Sequence, residues 1–584
     1  MTDADIPRPE HPRPDFQRTL WLNLNGTWQF EVDEAADGEE RGLHYGRDLA
    51  HNILVPFCPE SPLSGIERKT FMEHVWYRRY FRLPDQMLGH RLLLHFGAVD
   101  WLARVWLNGQ FLGEHRGGYT PFWFDVTGVV SDGDNELVLH VVDETRSGKQ
   151  ARGKQSPRPE SHGCVYTRTT GIWQTVWLEA VGTTWLREFS LVPDLDGGRV
   201  IFQGWVDGPW SGATVRLRAL TDGKVVGEEV VPANWRSTLA VLPLAEVRAW
   251  GPGEPFLYDL EIEIARDGRV LDRVSTYFGL RKLGIEGNRF LINGRPVFQR
   301  LVLDQGFYPD GIYTAPNDEA LRRDIELAMA AGFNGARLHQ KVFEPRFLYW
   351  ADRLGYIVWG EYADWGLDLE NHEAVTWALN EWRDVLRRDR NHPSIVGWCP
   401  LNETRPGEAS AAIQRLLAVT QAVDPTRPWL DTSGYVHLSG STDIYDCHNY
   451  GQDPEKFAAL FAEFARSGQN PWNNKPEDPR SAYRGQPYFV SEYGGIRVET
   501  DRDVGEGWGY GNETVPLEEF FQRYKALTDA LLGNPYMFGF CYTQLTDIEQ
   551  EQNGIYFYDR QPKYDVERIR QINERPAAYE QTSR

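Results

Sequence analysis

Two stretches of the chain end an apolar run in acid. Ile395 to Leu401 runs into Asn402 and Glu403, and Tyr488 to Val490 runs into Ser491, Glu492 and Tyr493. The glutamates are 492 − 403 = 89 residues apart, about three strand–helix units of ~30 residues each. If both runs are strands of one barrel, both carboxylates project into one mouth. Two carboxylates facing a common cavity is what cleavage of a glycosidic bond requires. One stays ionised as nucleophile while the other protonates the departing oxygen. The proton donor needs a raised pKa, and a negative neighbour raises it because like charges disfavour the second ionisation. A metal site would need more acidic or imidazole ligands at converging spacing, and the sequence carries no such set. No metal and no organic cofactor is expected.

The elements that must position these residues follow from the hydrophobic period. From about residue 282, apolar runs alternate with amphipathic helical segments. The candidate strands are QRLVLDQ, FNGARLH, YIVWGEY, SIVGWCPLNE, PWLDTSG, IYDCHNY, YFVSEYGG and MFGFCYTQLTD. The helices between them include NDEALRRDIELAMAAG, with Asn317 as its expected N-cap and Gly332 as its stop, and ASAAIQRLLAVTQAV. Eight strands alternating with helices predict a C-terminal (β/α)8 TIM barrel over 282–584. The first half reads differently. Short alternating runs such as VWYRRYFRL, RLLLHFG, ARVWLNG and NELVLHVVD, broken by NG and DGDN turns, predict a β-sandwich over 15–183. REFSLVPDL, GRVIFQGWV, ATVRLRAL and YDLEIEIARDG predict an immunoglobulin-like β-sandwich over 184–281. The 145–170 segment is long, basic and poor in apolar residues. Such a loop either reaches toward the barrel mouth or stays disordered. The 465–486 loop is a second candidate border of the site.

Composition narrows the partners. The 584 residues carry 62 basic and 84 acidic side chains, a net charge of −22. That charge repels phosphate backbones and anionic lipid, so neither nucleic acid nor a membrane is an expected partner. The 22 Trp, 26 Tyr and 28 Phe serve cores and sugar faces alike. The five cysteines are scattered without a CxxC, which argues against zinc and against a disulfide framework. The first 21 residues lack an apolar signal core, and no 18-residue apolar run occurs, so a soluble, cytoplasmic protein is expected. A homo-oligomer is compatible with the sequence.

Several stretches resemble glycoside hydrolase family 2. RDRNHPSIVGWCPLNET is similar to the segment around that family's acid/base glutamate, PYFVSEYGG to its nucleophile strand, and FLINGRPVFQR to the start of its barrel. LNGTWQF, VWYRRYFRLP, VWLNGQFLGEHRGGYTPFWFDVT and TGIWQTVWLE resemble its N-terminal sugar-binding jelly roll. The resemblance covers roughly residues 18 to 575 and implies jelly roll, immunoglobulin-like domain and barrel in that order.

What the resemblance implies is a retaining, exo-acting glycosidase acting on an oligosaccharide or other glycoside. Glu492 would be the nucleophile and Glu403 the acid/base. Asn402 would bond the sugar 2-hydroxyl, and Arg337 would lie beneath Glu492. Glu361 would be a subsite wall or a buried partner of Arg337. Asp304, His339, His448 and Tyr450 join the expected substrate-binding set. So do Tyr493, which would bond the nucleophile, and Tyr542, at a position where an aromatic floor to the sugar is common. Trp365 is read as either a sugar face or core, and Trp398 as core. Three departures bear on the sugar. The strand 2 end reads RLHQK instead of the galactosidase Arg–x–x–His, and the mannosidase pattern is absent there. The glucuronidase Asn–x–Lys is also missing, since Asn553 precedes Gly554 and Ile555. Glu549 and Glu551 would repel a uronate unless a base such as Lys341 or Arg152 arrives from elsewhere. A neutral, β-galactosidase-like sugar is therefore favoured. β-Glucuronidase or α-L-arabinofuranosidase/β-galactofuranosidase specificity is the alternative. An endo-acting or transglycosylating enzyme and an inactive carbohydrate-binding protein are the rival classes.

Overall fold

The computed structural model describes residues 6–235, 237–405, 410–438, 440–502 and 507–581. Ala409, the first residue of one expected helix, and the last three residues of the expected barrel domain lie outside them.

The N-terminal sandwich follows from alternation. A six-stranded antiparallel sheet (in spatial order His51–Val55, Gly26–Val32, His74–Phe81, Asn135–Val142, Leu102–Leu107, Gln110–Arg116) faces a four-stranded one. Their inward side chains, among them Trp28, Phe30, Tyr77, Leu94 and Leu139, share one buried core. The second sandwich packs sheets of three and four strands over residues 185–278 around Phe189, Phe202, Leu217 and Ile262. Arg18 ties the sandwiches together. Its guanidinium pairs with Glu179 at 2.7 Å and with Asp272 at 3.0 Å, all three side chains being buried.

Among the described residues the barrel has seven regular parallel strands. They are β1 (Gln299–Asp304), β2 (Gly335–Leu338), β3 (Ile357–Glu361), β4 (Ile395–Cys399), β5 (Tyr445–Asn449), β6 (Tyr488–Gly494) and β7 (Met537–Thr543). They pair in the order β4-β3-β2-β1-β7-β6-β5. The expected strand PWLDTSG is the exception. Residues 428–434 run beside β4 with only two isolated parallel bridges, Trp398 to Trp429 and Asn402 to Ser433. On the side facing β5 they are joined through a side chain. Asp446 accepts hydrogen bonds from Ser433 Oγ (2.9 Å) and Gly434 N (3.1 Å). Pro428 removes a ladder donor, and Asp431 to Gly434 supply polar contacts in place of apolar pleats. The barrel is therefore closed at this seam by Asp446, which is pinned by His437 (Nε2 to Oδ1, 3.1 Å). Helix α1 (Asp318–Ala330) opens on Asn317, whose side chain accepts from Ala320 N, and Gly332 beyond its end has φ +81°. The five cysteines are free thiols, and only Cys164 is not buried. No helix among the described residues is long and apolar enough to cross a membrane.

The 145–170 segment leaves the jelly roll and lies against the barrel mouth. Gly153 N donates to Ala363 O and Trp365 O, and Arg152 N donates to Trp365 O at 2.9 Å. A Cβ at Gly153 would lie 2.0 Å from the Gln340 carbonyl, so only glycine lets the loop approach this closely. The 465–486 loop also reaches the mouth. Asn474 brackets the backbone of His448, accepting from its N–H (2.9 Å) and donating to its C=O (2.8 Å).

Candidate active site

β4 and β6 deliver the two glutamates. Glu403 lies four residues beyond the end of β4 and has φ +54°, a left-handed conformation unusual for a non-glycine residue. It is held there by its N–H, which donates to Ser433 O at 2.8 Å. Glu492 is buried within β6. A carboxylate oxygen of each, with a ring nitrogen of His448, lie within 4.8 Å of one another.

Glu492 is fixed from two sides. Arg337 Nη1 donates to Oε1 at 3.1 Å and to Ser491 O at 2.7 Å, while Tyr450 O–H donates to Oε2 at 2.5 Å. Arg337 is completed by Glu361, whose Oε1 accepts from Nε at 2.6 Å and whose Oε2 lies 3.0 Å from His339 Nδ1. Glu361 is thus the buried partner of Arg337. Burial pushes its carboxyl up, against the pull of Arg337. His339 is held far below the ordinary histidine value by burial, and next by the positive charge of Lys154, so it is neutral. Arg337 Nη2 also donates to Asn402 Oδ1 (3.4 Å), which fixes the amide orientation. Asn402 Nδ2 is buried and has no hydrogen-bond partner among the described residues.

His448 links the pair. Its Nδ1 lies 2.8 Å from Glu403 Oε1 and 3.3 Å from Glu492 Oε2, and its Nε2 lies 2.9 Å from Ser433 Oγ, which in turn donates to Asp446. Burial opposes the imidazolium, but the charges of Glu492 and Glu403 outweigh it and raise His448. Glu403 correspondingly departs from the raised value expected of a proton donor. Burial pushes it up, yet the hydrogen bond and charge of His448 hold it below the usual carboxylate range. His448 and Glu403 thus shift in opposite directions across one hydrogen bond.

Three expected residues do not join this cluster. Tyr493 follows an inward residue on a strand, so its side chain points outward. Its ring packs on Phe540 and Tyr542, and its hydroxyl meets Thr528 Oγ1 at 2.9 Å, away from the nucleophile. Tyr542 is likewise outward and fully buried against Tyr493 and Tyr524, so it provides no floor to the mouth. The inward residue on β7 is Thr543, whose Oγ1 lies 3.0 Å from Tyr450 O–H. Asp304 accepts from Gly306 N (2.9 Å) and is pushed up to about 7 by burial and by Asp324. It braces the loop after β1. Trp398 is core, with Nε1 donating to Asp424.

Tyr510 and Lys154, which carry no sequence signal of their own, also lie at the mouth. Tyr510 stacks on Tyr450, with centroids 3.4 Å apart and planes 3° off parallel. Trp365 donates from Nε1 to Asn402 O (3.3 Å), and the ammonium of Lys154 lies 3.8 Å from its ring centroid. Burial disfavours that charge, but Cys164, Glu551, Glu403 and Glu492 outweigh it and raise Lys154. Glu551 accepts from Tyr166 O–H (2.6 Å) and Asn553 Nδ2 (3.1 Å). Lys341 is turned elsewhere, donating to Gly306 O and to Tyr313 O. An open cavity of about 1050 Å³ lined by Arg152, Trp365, Asn402, Glu403, Tyr435 and Lys475 leads outward. By donor type, Glu403, His448 and Glu492 could hold a cation. However, Arg337 and Tyr450 already occupy both oxygens of Glu492, which does not fit a metal there.

Two β-sandwiches and a barrel with an acid pair at its mouth are the architecture of a glycoside hydrolase. Family models agree over most of the chain. "Glycosyl hydrolases family 2, sugar binding domain" matches residues 40–178, "Glycosyl hydrolases family 2" matches 188–281, and "Glycosyl hydrolases family 2, TIM barrel domain" matches 283–576. The chain belongs to glycoside hydrolase family 2 and is an O-glycosyl hydrolase. It is 26% identical over 602 residues to a β-glucuronidase of Paenibacillus borealis, a match covering 94% of this chain and 96% of that protein. It is also 26% identical over 451 residues to a β-galactosidase of Thermoanaerobacter pseudethanolicus, covering 74% of this chain and only 56% of that one. Among solved structures, the Lactobacillus rhamnosus β-glucuronidase aligns with a TM-score of 0.81 at 19% identity, over 97% of this chain and 99% of that chain, a likeness of fold.

Proposed function

We propose that this enzyme removes a terminal neutral sugar from a glycoside by double displacement, with retention at the anomeric carbon. The carrying observation is the approach of Glu403 and Glu492 to within 4.8 Å between carboxylate oxygens. Retaining pairs lie about 5–5.5 Å apart, whereas inverting pairs leave ~6.5–9.5 Å for a water. Glu492 attacks the anomeric carbon as the bond to the leaving oxygen breaks, and Glu403 passes a proton to that oxygen. Water then attacks the glycosyl-enzyme, Glu403 takes its proton, and Glu492 is released. His448 Nδ1, 2.8 Å from Glu403 Oε1, is placed to exchange a proton with it. When Glu492 becomes an ester its charge is lost, which removes the largest influence raising His448. The unpartnered Nδ2 of Asn402, held by Arg337, supports its role toward the sugar 2-hydroxyl.

A neutral sugar is supported by the missing lysine of the Asn–x–Lys pattern and by Glu551, whose carboxylate, held by Asn553, would repel a uronate. The second reading is a uronide, favoured by the β-glucuronidases among the relatives and by the ammonium of Lys154 near the acid pair. A panel of p-nitrophenyl β-galactoside, β-glucoside, β-glucuronide, α-L-arabinofuranoside and β-galactofuranoside separates the two. On the best substrate, Glu492→Ala and Glu403→Ala each reduce kcat by at least about 10³-fold, and azide restores turnover in the second, giving a glycosyl azide of retained configuration. Near-normal turnover by either variant would sink the assignment.

A further inference from the structure

We propose that Lys154 completes the sugar pocket from the jelly-roll domain, and that Lys154 and Glu551 bind one hydroxyl of the terminal sugar between them. This rests on the exo-glycosidase reading above and deepens it.

Lys154 is 5% exposed, yet its ammonium forms no hydrogen bond or ion pair within 4.0 Å with any described residue. It lies instead over the face of Trp365, 3.8 Å from the ring centroid. A lysine has three donors, and burying them without acceptors is costly. The other buried lysines show the usual remedy. Lys341 donates to two carbonyls, and Lys563 to Asp547 (2.6 Å) and Gln552 O (3.0 Å). Lys154 instead lies over Trp365, whose Nε1 donates to Asn402 O beside Glu403, and the charges of Glu551, Glu403 and Glu492 act on it.

The loop that carries it is not free to swing. Gly153 is pinned to Ala363 and Trp365, Gln155 reaches Asp100 (2.7 Å) and Thr169 N (2.8 Å), and Tyr166 N donates back to Lys154 O (2.7 Å). The ammonium is thus held in place before any ligand arrives, which spares the ordering cost on binding. Glu551 is held as firmly by Tyr166 and Asn553, and Tyr166 is held in turn by Gln305 (2.9 Å). Both are anchored through Tyr166, whose N–H donates to Lys154 O while its O–H donates to Glu551, and no ion pair joins them within 4.0 Å. A hydroxyl fits such a pair, accepting from Lys154 and donating to Glu551. A carboxylate would gain Lys154 and be repelled by Glu551.

The test uses the full-length enzyme, the aryl glycoside it turns over best, and that substrate's monodeoxy analogues at ring positions away from the anomeric carbon. Lys154→Met should lower kcat/KM on the parent by on the order of 10- to 100-fold. The loss should shrink to within about threefold on one analogue. Glu551→Gln, which leaves the loop intact, should single out the same analogue. Equal losses on all analogues, or no loss on the parent, would overturn the proposal. So would a Lys154→Met defect confined to uronides and accompanied by a gain of uronide turnover in Glu551→Gln. If the wild-type enzyme released no sugar of retained configuration, the underlying reading would fall first. If it did so while the variants showed no selectivity, only the present inference would fall.

Discussion

At the scale of single residues, the site is a chain of charges that share too few protons. Arg337 and Tyr450 each donate to one oxygen of Glu492, and His448 bridges from Glu492 to Glu403. Because His448 is raised above its ordinary value of 6.5, the alkaline limb of kcat/KM should lie above that value, where the imidazolium loses its proton. Replacing it should have two effects. His448→Gln leaves Glu403 as a lone buried acid, so the alkaline limb should move toward acid and kcat/KM should fall at least about tenfold. A pH–rate profile of the variant overlying that of the wild type would show that His448 takes no part in the proton's path. Both catalytic candidates were legible in the sequence because a strand's C-terminal end is where a barrel places its chemistry. Tyr493 and Tyr542 were misplaced for an equally local reason. Strand side chains alternate, and once Glu492 points inward its neighbour cannot. Lys154 carried no readable signal, since the ring it lies over, Trp365, is 365 − 154 = 211 positions away in the chain.

At the scale of elements, the seam after β4 matters most. The sequence reading expected a regular strand at residues 428–434, and the fold has instead a polar ribbon sewn to β5 through Asp446. Periodicity could not reveal this, because PWLDTSG has the length of a strand while its partners are side chains. His437 sits fully buried between Asp431 (2.9 Å) and Asp446 (3.1 Å). Burial opposes its charge, but the two carboxylates outweigh it and raise it to about 10, while burial of Asp446 is overcome by His437 and holds that carboxyl at about 2. The sign follows from linkage. A raised histidine stabilises the fold fully below its unfolded value of 6.5, and that contribution is lost as pH rises through about 10. The lowered Asp446 contributes above 3.8 and loses its contribution as pH falls through about 2. The seam is therefore strongest between those inner limits. His437→Gln should lower Tm near pH 6 and flatten the fall in Tm between pH 7 and 10. Calorimetry showing the same alkaline slope in variant and wild type would exclude this role.

At the scale of the whole molecule, the domains are not a catalytic barrel with passive appendages. The jelly roll sends its 145–170 loop into the barrel mouth, and the immunoglobulin-like sandwich is locked to the jelly roll by Arg18. Domain order was readable because each sandwich has its own alternation and turns, and the barrel has its own period. Their mutual contacts were not, since single polar side chains make them. Removing one member of a buried charge triad leaves the others unpaired at a cost of about 3–5 kcal/mol. Arg18→Met should accordingly split a single thermal transition, with the sandwiches melting before the barrel. An unchanged single transition would show that Arg18 does not couple them.

The central claim is that Glu492 forms a covalent bond to the sugar with Glu403 as its partner. The most direct measurement is to treat the enzyme with the activated 2-deoxy-2-fluoro derivative of its preferred glycoside and weigh the intact protein, then its peptides. The account predicts one added glycosyl mass, carried by the peptide containing PYFVSEYGG at Glu492 and absent from Glu492→Ala. Turnover of the parent glycoside with no adduct, or an adduct on another residue, would contradict it.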